Sequence, residues 1–156
     1  MRIQLIYMSA ATRQFDSNEL TDLLIKARVR NESLGVSGML VYHDGAFLQI
    51  LEGDERVVDP LYERISRDWR HTNCALLLRS YTDHRSFEDW NMGFVDTDHE
   101  ETKSLPGFSD FFEENFSSEA FLSDPSVSRA ILLMFRSGKW HQTVNTNHES
   151  PEYSYA

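Results

Sequence analysis

Length, composition and charge narrow the class of protein before any motif is considered. The chain has 156 residues, 40% of them hydrophobic and 12% aromatic, which is enough to build the core of one folded domain. Its 15 Lys and Arg against 25 Asp and Glu give a net charge of −10 at pH 7. This balance argues against binding to nucleic acid or to an anionic membrane surface, because both rely on clustered cations.

The chain also lacks the marks of a metal-bound, disulfide-linked or membrane protein. Its one cysteine, Cys74, cannot form an internal disulfide or supply a four-ligand zinc site. No run approaches the ~18 apolar residues of a membrane span, and the first residues do not resemble a signal peptide. We therefore expect a cytoplasmic domain with no metal, membrane or nucleic-acid partner.

The first third of the chain carries clear signals for a strand and a helix. Residues 3–7 alternate as a β-strand does. Asp16 followed three residues later by Glu19 forms a capping box at the start of a helix. Gly35 is the predicted end of that helix.

A hairpin and a second helix follow. Residues 36–42 and 46–51 are strand-like runs separated by an Asp-Gly turn. A helix is predicted over residues 55–69, and it either kinks at Pro60 or begins its regular part there with Asp59 as the cap. Two further strands are predicted over residues 75–81 and 90–95.

The order βαββαββ predicts an α+β fold, the ferredoxin-like sandwich with two helices on one face of the sheet. Two C-terminal helices, over residues 106–115 and 125–137, are expected to cover the other face. The chain then divides into a core of residues 1–97, a two-helix extension of residues 98–138 and a flexible tail of residues 139–156.

Three polar residues interrupt the apolar pattern. Gln49 shares a strand face with Phe47 and Leu51, and a buried amide needs a backbone, side-chain or ligand partner. Tyr7 ends an apolar row, where its hydroxyl commonly faces water or a carbonyl group. Asn31 lies near a helix end, where it is an ordinary cap.

Together these three residues favour a binding site. We expect this topology to bring the ends of the first strand, first helix and third strand near one another. A phenol and two carboxamides suit a planar heterocycle that alternates donors and acceptors. The sequence has no hydrolase motif and no glycine-rich phosphate loop.

Over about residues 1–97 the sequence resembles the BLUF domains, the sensors of blue light using FAD. The matching stretches, in the family's order and spacing, are residues 5–9 (LIYMS), 20–31, 35–42 (GVSGMLVY), 45–53 (GAFLQILEG), 62–65 (YERI), 68–71 (DWRH) and 87–92 (FEDWNM). The remaining third resembles the two-helix extension of the short, single-domain members.

The resemblance implies a photochemical role for four residues. Tyr7 would donate an electron and a proton to photoexcited flavin. Gln49 would bridge the Tyr7 hydroxyl and the flavin, and rearrangement of its amide would shift flavin absorption to the red. Trp90 and Met92 would relay the change near Gln49 to the sheet.

The resemblance also implies a set of flavin-binding residues, with FAD as the expected cofactor and FMN or riboflavin as alternatives. Asn31 would pair with the pyrimidine edge, Arg64 would face O2, and Asp68 would bind the ribityl chain. Residues expected to pack on the ring are Leu24, Leu40 and Phe47, and candidates for the phosphates are Lys26, Arg28, Arg30 and His71. A kink at Pro60 would shift Arg64 and Asp68.

The sequence thus favours a flavin photoreceptor with no enzymatic activity of its own. Because we expect no output domain, signalling would pass to a downstream protein partner or through a homo-oligomer, a dimer or larger, by way of residues 98–138. The alternatives are a small ferredoxin-like enzyme and a regulatory domain that binds a small molecule without photochemistry. The enzyme would be an acylphosphatase relying on Arg13, or a flavin reductase, although no nicotinamide-binding fingerprint is present.

Overall fold

The computed structural model describes residues 1–43, 45–88 and 92–96. The predicted order of strands and helices is confirmed. The elements are β1 (Arg2–Ala11), α1 (Ser17–Leu34), β2 (Ser37–His43), β3 (Ala46–Asp54), α2 (Glu55–Ser66), β4 (His71–Tyr81) and β5 (Gly93–Asp96).

The strands form one sheet in the order β4-β1-β3-β2-β5. The first four pair antiparallel, and β5 pairs parallel with β2. This is the ferredoxin-like α+β arrangement that the sequence predicts. In the central pair Tyr7 lies opposite Gln49, and on the other side of β3 Leu40 lies opposite Gln49.

Helix α1 begins and ends where its local signals predict. The Asp16 side chain accepts a hydrogen bond from the backbone N–H of Glu19 at 2.8 Å, which satisfies a free donor of the first turn. Gly35 ends the helix with φ of 67°, a left-handed conformation that glycine adopts without steric cost.

Helix α2 begins earlier than Pro60, so the alternative in which Asp59 caps it is wrong. The Asp54 side chain caps the helix by accepting from the backbone N–H of Arg56 at 2.9 Å, and Pro60 lies inside the helix. Asp59 instead pairs with Arg79 of β4 at 2.7 Å.

The boundaries after α2 also differ from the prediction. The helix ends at Ser66 rather than at residue 69, β4 begins at His71 rather than at residue 75, and β5 begins at Gly93. Strand β4 starts early because β1 stays paired with it through an irregular register, as far as Ala11 opposite His71.

Both faces of the sheet are buried in its central strands. One face and the two helices share a core that includes Leu5, Leu24 and Leu51, whereas Ile6 and Ile50 are buried on the opposite face. The predicted C-terminal helices and tail lie outside the described residues. In the part of the chain that the structure describes, no helix is long and apolar enough to cross a membrane.

Candidate functional site

A pocket opens between α1 and α2 above the central strands. It holds about 650 Å³ of space between atoms, part of it open to solvent. Its lining residues come from β1, the loop before α1, α1, β2, β3, α2, the turn before β4 and the first residue of β4: Tyr7, Phe15, Leu23, Lys26, Ala27, Arg30, Leu40, Phe47, Gln49, Ile65, Asp68, Arg70 and His71.

Tyr7 and Gln49 meet in this pocket through a direct hydrogen bond. The Tyr7 hydroxyl donates to Oε1 of Gln49 at 2.5 Å, and both side chains are buried. Because the two residues are cross-strand partners whose side chains project from the same face, the sheet itself fixes their separation.

The other end of the Gln49 amide faces Met92. Its Nε2 donates to the Met92 sulfur at 3.7 Å, and Met92 is fully buried. A thioether is a weak acceptor, so this is the weaker of the two bonds that orient the amide. Trp90, the other predicted relay residue, lies outside the described residues.

The surroundings of Tyr7 keep its hydroxyl protonated. Burial is the main cause that raises the pKa of Tyr7 well above 10.0, and Cys74 and Tyr62 raise it further. The Tyr62 ring lies 5.2 Å from the Tyr7 ring, measured between centroids. Burial also raises the pKa of the Cys74 thiol to about 12, so that group is neutral as well.

His71 lines the pocket, but the protein engages both nitrogens of its ring. Nδ1 lies 2.7 Å from the hydroxyl of Ser9, and Nε2 lies 2.6 Å from the carbonyl oxygen of Ile65. Since a carbonyl can only accept, Nε2 carries the proton in that contact. The ring is therefore oriented by the fold.

Three cationic side chains line the pocket, those of Lys26, Arg30 and Arg70. Arg70 forms an ion pair with Asp68 at 2.5 Å, and its hydrogen bonds lower the pKa of the Asp68 carboxyl. Half-buried Arg30 has a lowered pKa, first because of burial and then because the Arg64 guanidinium lies nearby. Lys26 pairs with an aspartate on the solvent side at 2.9 Å.

The remaining predicted residues fall into three groups. Leu24 and Asn31 are buried on the inner face of α1 beside Ala27, but they do not line the pocket. Arg64 is exposed on α2 and is also absent from the lining. Arg28 donates from Nε to the Met92 carbonyl at 2.9 Å rather than lining the pocket with the other cations.

Five lining residues were not predicted as site residues: Phe15, Leu23, Ala27, Ile65 and Arg70. Helical spacing offered a signal for two of them, because Leu23 and Ala27 precede Asn31 by eight and four residues on α1. Nothing local marks Phe15, which lies in the loop before α1.

A sheet covered by two helices, with a pocket between them, is an arrangement typical of α+β domains that bind a small ligand. The family model for sensors of blue light using FAD matches residues 3–93. The chain therefore belongs to the BLUF family of flavin-based blue-light sensors.

Individual relatives agree with this assignment. The chain is 36% identical over 91 residues to the photoactivated adenylate cyclase subunit alpha of Euglena gracilis, a match that covers 57% of this chain and 9% of that protein. It is 32% identical over 96 residues to the blue light- and temperature-regulated antirepressor BluF of Escherichia coli K12, covering 62% of this chain and 24% of BluF. The chain thus spans only a small part of these relatives.

Solved structures resemble it over more of their length. The photo-activated state of BlsA is 35% identical, with a TM-score of 0.59, and the match covers 66% of this chain and 74% of BlsA. The dark-state structure of the BLUF protein BlrB is 30% identical, with a TM-score of 0.59, and the match covers 67% of this chain and 78% of BlrB.

Proposed function

We propose that this protein binds a flavin between α1 and α2 and reports blue light through Tyr7 and Gln49. The observation that carries the proposal is the 2.5 Å hydrogen bond between these two side chains inside the pocket. A phenol and a carboxamide in contact can exchange a proton and rearrange their hydrogen bonds without a large movement of the backbone.

The chemistry of the pocket fits a flavin. Apolar side chains such as Leu40, Phe47 and Ile65 offer packing surface for a planar ring system, and Gln49 offers an amide at its edge. A bound flavin supplies absorption of blue light and, once excited, a strong oxidant. Asn31 is the residue we assign to the pyrimidine edge, because it lies one helical turn beyond Ala27 on the inner face of α1.

In this proposal Tyr7 would pass an electron and its hydroxyl proton to the excited flavin and would later take both back. The Gln49 amide, oriented in the dark by Tyr7 and Met92, reorients while Tyr7 is oxidised. Rearranged in this way, the amide would donate a hydrogen bond to the bound flavin. Burial of Tyr7 supports this role because it keeps the proton on the hydroxyl until light arrives.

We propose FAD as the cofactor, held at its phosphates by cationic side chains that line the pocket. Lys26 and Arg30 both line the pocket and lie one turn apart on α1, so both can face an anionic group bound there. Asp68, fixed by Arg70, has acceptor oxygens for ribityl hydroxyls. Mass spectrometry of the flavin released from purified protein separates FAD from FMN and riboflavin.

The output of the sensor is proposed to pass through residues 98–138 to a protein partner or to a second copy of the chain. The relatives support a separate output because their names pair the sensor with a cyclase or an antirepressor function. Hydrogen exchange in light and in darkness tests this proposal, and unchanged protection of residues 106–138 would contradict it.

The enzyme alternative has less support. The acylphosphatase hypothesis relies on Arg13. This residue is already paired with Glu19, and its guanidinium lies 5.2 Å from the centre of the Phe15 ring. An anion site in that loop would require this pair to break. We therefore propose a sensor without catalytic activity of its own.

Absorption spectroscopy tests the proposed function. The purified protein is expected to be yellow, to shift its absorption to the red under blue light and to recover in the dark. A colourless protein that binds no added flavin would overturn the proposal, and so would a flavin-bound protein whose spectrum does not respond to light.

A further inference from the structure

A carboxylate is buried on the face of the sheet opposite the pocket. Glu52 lies on β3 between Gln4 of β1 and Ser37 of β2, its partners in the two registers, and it is 0% exposed. A buried carboxylate is stable only when hydrogen bonds replace its lost hydration. The partners of Glu52 therefore show what this residue does.

Glu52 accepts four hydrogen bonds, two on each oxygen. Oε1 accepts from Gln4 Nε2 at 2.9 Å and from the backbone N–H of Ser86 at 2.8 Å. Oε2 accepts from the Ser37 hydroxyl at 3.2 Å and from the backbone N–H of Phe87 at 3.1 Å. The two backbone donors belong to consecutive residues of the segment between β4 and β5.

A carboxylate is the one side-chain group that suits both of these backbone donors. It accepts on both oxygens, whereas the carboxamide of glutamine has one oxygen and one NH₂ group. In an otherwise identical geometry, glutamine would turn its NH₂ toward one of the two backbone N–H groups. Glu52 is therefore chemically specific, although the conservative change barely alters side-chain volume.

Arg85 holds the same segment to the same end of the sheet. Its Nη1 donates to the Ser37 hydroxyl at 2.9 Å and to the Glu52 carbonyl at 3.3 Å, and its Nη2 donates to the Gly35 carbonyl at 2.8 Å. Two side chains thus hold residues 85–87: Glu52, which projects from β3, and Arg85, which belongs to the segment itself.

This anchored segment leads along the chain to Met92, whose sulfur accepts from Gln49. Glu52 follows Gln49 by three residues on β3. The same strand therefore carries the Gln49 amide and the carboxylate that binds Ser86 and Phe87, upstream of Met92. Proteins hold functional side chains in place with such supporting hydrogen bonds.

We propose that Glu52 is a positioning residue of the photocycle: by holding the backbone of Ser86 and Phe87 it keeps Met92 against Gln49 and sets the rate at which the signalling state decays. The inference rests on the proposed function of Tyr7 and Gln49. Glu52 is not among the residues that line the pocket, and it takes no part in the hydrogen bond between Tyr7 and Gln49.

The test compares Glu52→Gln with Gln4→Leu in the full, flavin-loaded chain. Gln4→Leu removes a donor to the same carboxylate and a long, 3.4 Å bond to the Ser86 hydroxyl, but it leaves both backbone bonds from Ser86 and Phe87 to Glu52. Glu52→Gln is expected to change the dark-recovery rate by about threefold or more, the scale on which remote residues modulate coupling. Gln4→Leu is expected to lower the thermal midpoint while recovering at the wild-type rate. Equal recovery rates in Glu52→Gln and wild type would overturn the proposal, as would equal changes in the two variants.

A second readout does not depend on photochemistry. The chain has five methionines, and methyl-labelled methionine gives one resolved NMR signal each, with Met92 assigned from a Met92→Leu variant. In the dark, Glu52→Gln is expected to shift or broaden the Met92 signal and to leave the Met8 signal unchanged. An unchanged Met92 signal would overturn the proposal.

Two outcomes are kept apart by this design. If Glu52→Gln does not fold, Arg85→Met replaces it, because Arg85 is the other side chain that holds the segment and is partly exposed. Arg85→Met is then expected to change the Met92 signal and the dark-recovery rate. If the wild type shows no light response, the proposed function fails, while the Met92 signal still decides whether Glu52 positions that residue.

Discussion

Arg28 donates from Nε to the backbone carbonyl of Met92 at 2.9 Å, which ties α1 to the residue whose sulfur faces Gln49. The sequence suggested a different use for Arg28, as one of several cations near the phosphates. Its contact is 64 residues distant in the chain, and burial lowers its pKa. We therefore propose that Arg28 supports Met92, whereas Arg30, two residues later, lines the pocket.

Arg28→Met is expected to change the dark-recovery rate and to leave the Kd for flavin within about twofold of wild type. The side chain loses its bond to the Met92 carbonyl, and a buried carbonyl without a partner costs about 1–3 kcal/mol. The absorbance change recorded after the light is switched off gives the recovery rate, and titration with flavin gives the Kd. Arg28→Lys, which keeps a donor, is expected to restore part of the wild-type rate.

The matched control is Arg30→Met, because Arg30 lines the pocket. This variant is expected to weaken flavin binding, by removal of a charge near the proposed phosphates. If Arg28→Met weakens binding as strongly as Arg30→Met does, Arg28 is a cofactor ligand and our assignment is wrong.

Tyr7→Phe is expected to bind flavin and to show no red shift under blue light. The substitution removes the hydroxyl that donates to Gln49 at 2.5 Å, and with it the proposed source of the proton. Loss of this hydrogen bond is expected to cost about 1 kcal/mol in the free energy of unfolding, since the ring keeps its packing. Absorption difference spectra measure the light response.

Tyr62→Phe is the control for Tyr7→Phe, because the two rings lie 5.2 Å apart and the Tyr7 hydroxyl is the one that donates to Gln49. We expect Tyr62→Phe to keep the red shift. A normal red shift in Tyr7→Phe would refute the role of Tyr7, and loss of the shift in both variants would extend that role to Tyr62.

Gln49→Leu is expected to keep flavin in the pocket and to abolish the red shift. Leucine fills a similar volume, but it cannot accept from Tyr7 or donate to Met92, so no amide remains to reorient. The buried Tyr7 hydroxyl loses its acceptor, which is expected to lower the free energy of unfolding by about 1–3 kcal/mol. Flavin fluorescence and difference spectra report binding and switching separately. Loss of binding with no folding defect would assign Gln49 to cofactor retention instead.

The parts of the fold that the sequence predicts well are those set by local chemistry. Asp16, Glu19 and Gly35 act within a few residues of one another, so the limits of α1 are readable from a short window. The start of β4 cannot be predicted from a short window, because its first residue, His71, contacts Ser9, which lies 62 residues away in the chain.

The same distinction applies to the site. Alternation along β1 and β3 is sufficient to bring Tyr7 and Gln49 to one face, and the resemblance gives them a common purpose. The bonds of Arg28 to Met92 and of Glu52 to Ser86 join segments 64 and 34 residues apart, which no periodicity reveals. Burial of a charged residue such as Glu52 is visible only after the sheet and its neighbouring segment are both in place.

The light response is expected to persist at alkaline pH. Burial raises the pKa of Tyr7 above its ordinary value of 10.0, so the hydroxyl still carries its proton at a pH where an exposed tyrosine is half ionised. The amplitude of the red shift, recorded from about pH 7 to about pH 10, is expected to stay constant. A decline with a midpoint near the ordinary value of tyrosine would show that Tyr7 is accessible to solvent.

The free energy of unfolding, unlike the amplitude of the red shift, is expected to change at alkaline pH. Because the folded state favours the neutral hydroxyl, the contribution of Tyr7 is complete below the pKa of the unfolded chain and is lost as the pH rises through the higher pKa of the folded state. The free energy of unfolding is therefore expected to fall above about pH 10, and less steeply in Tyr7→Phe than in wild type. Urea unfolding of both proteins at several alkaline pH values measures the difference. Identical slopes would mean that Tyr7 ionises in the folded protein as readily as it does in the unfolded chain.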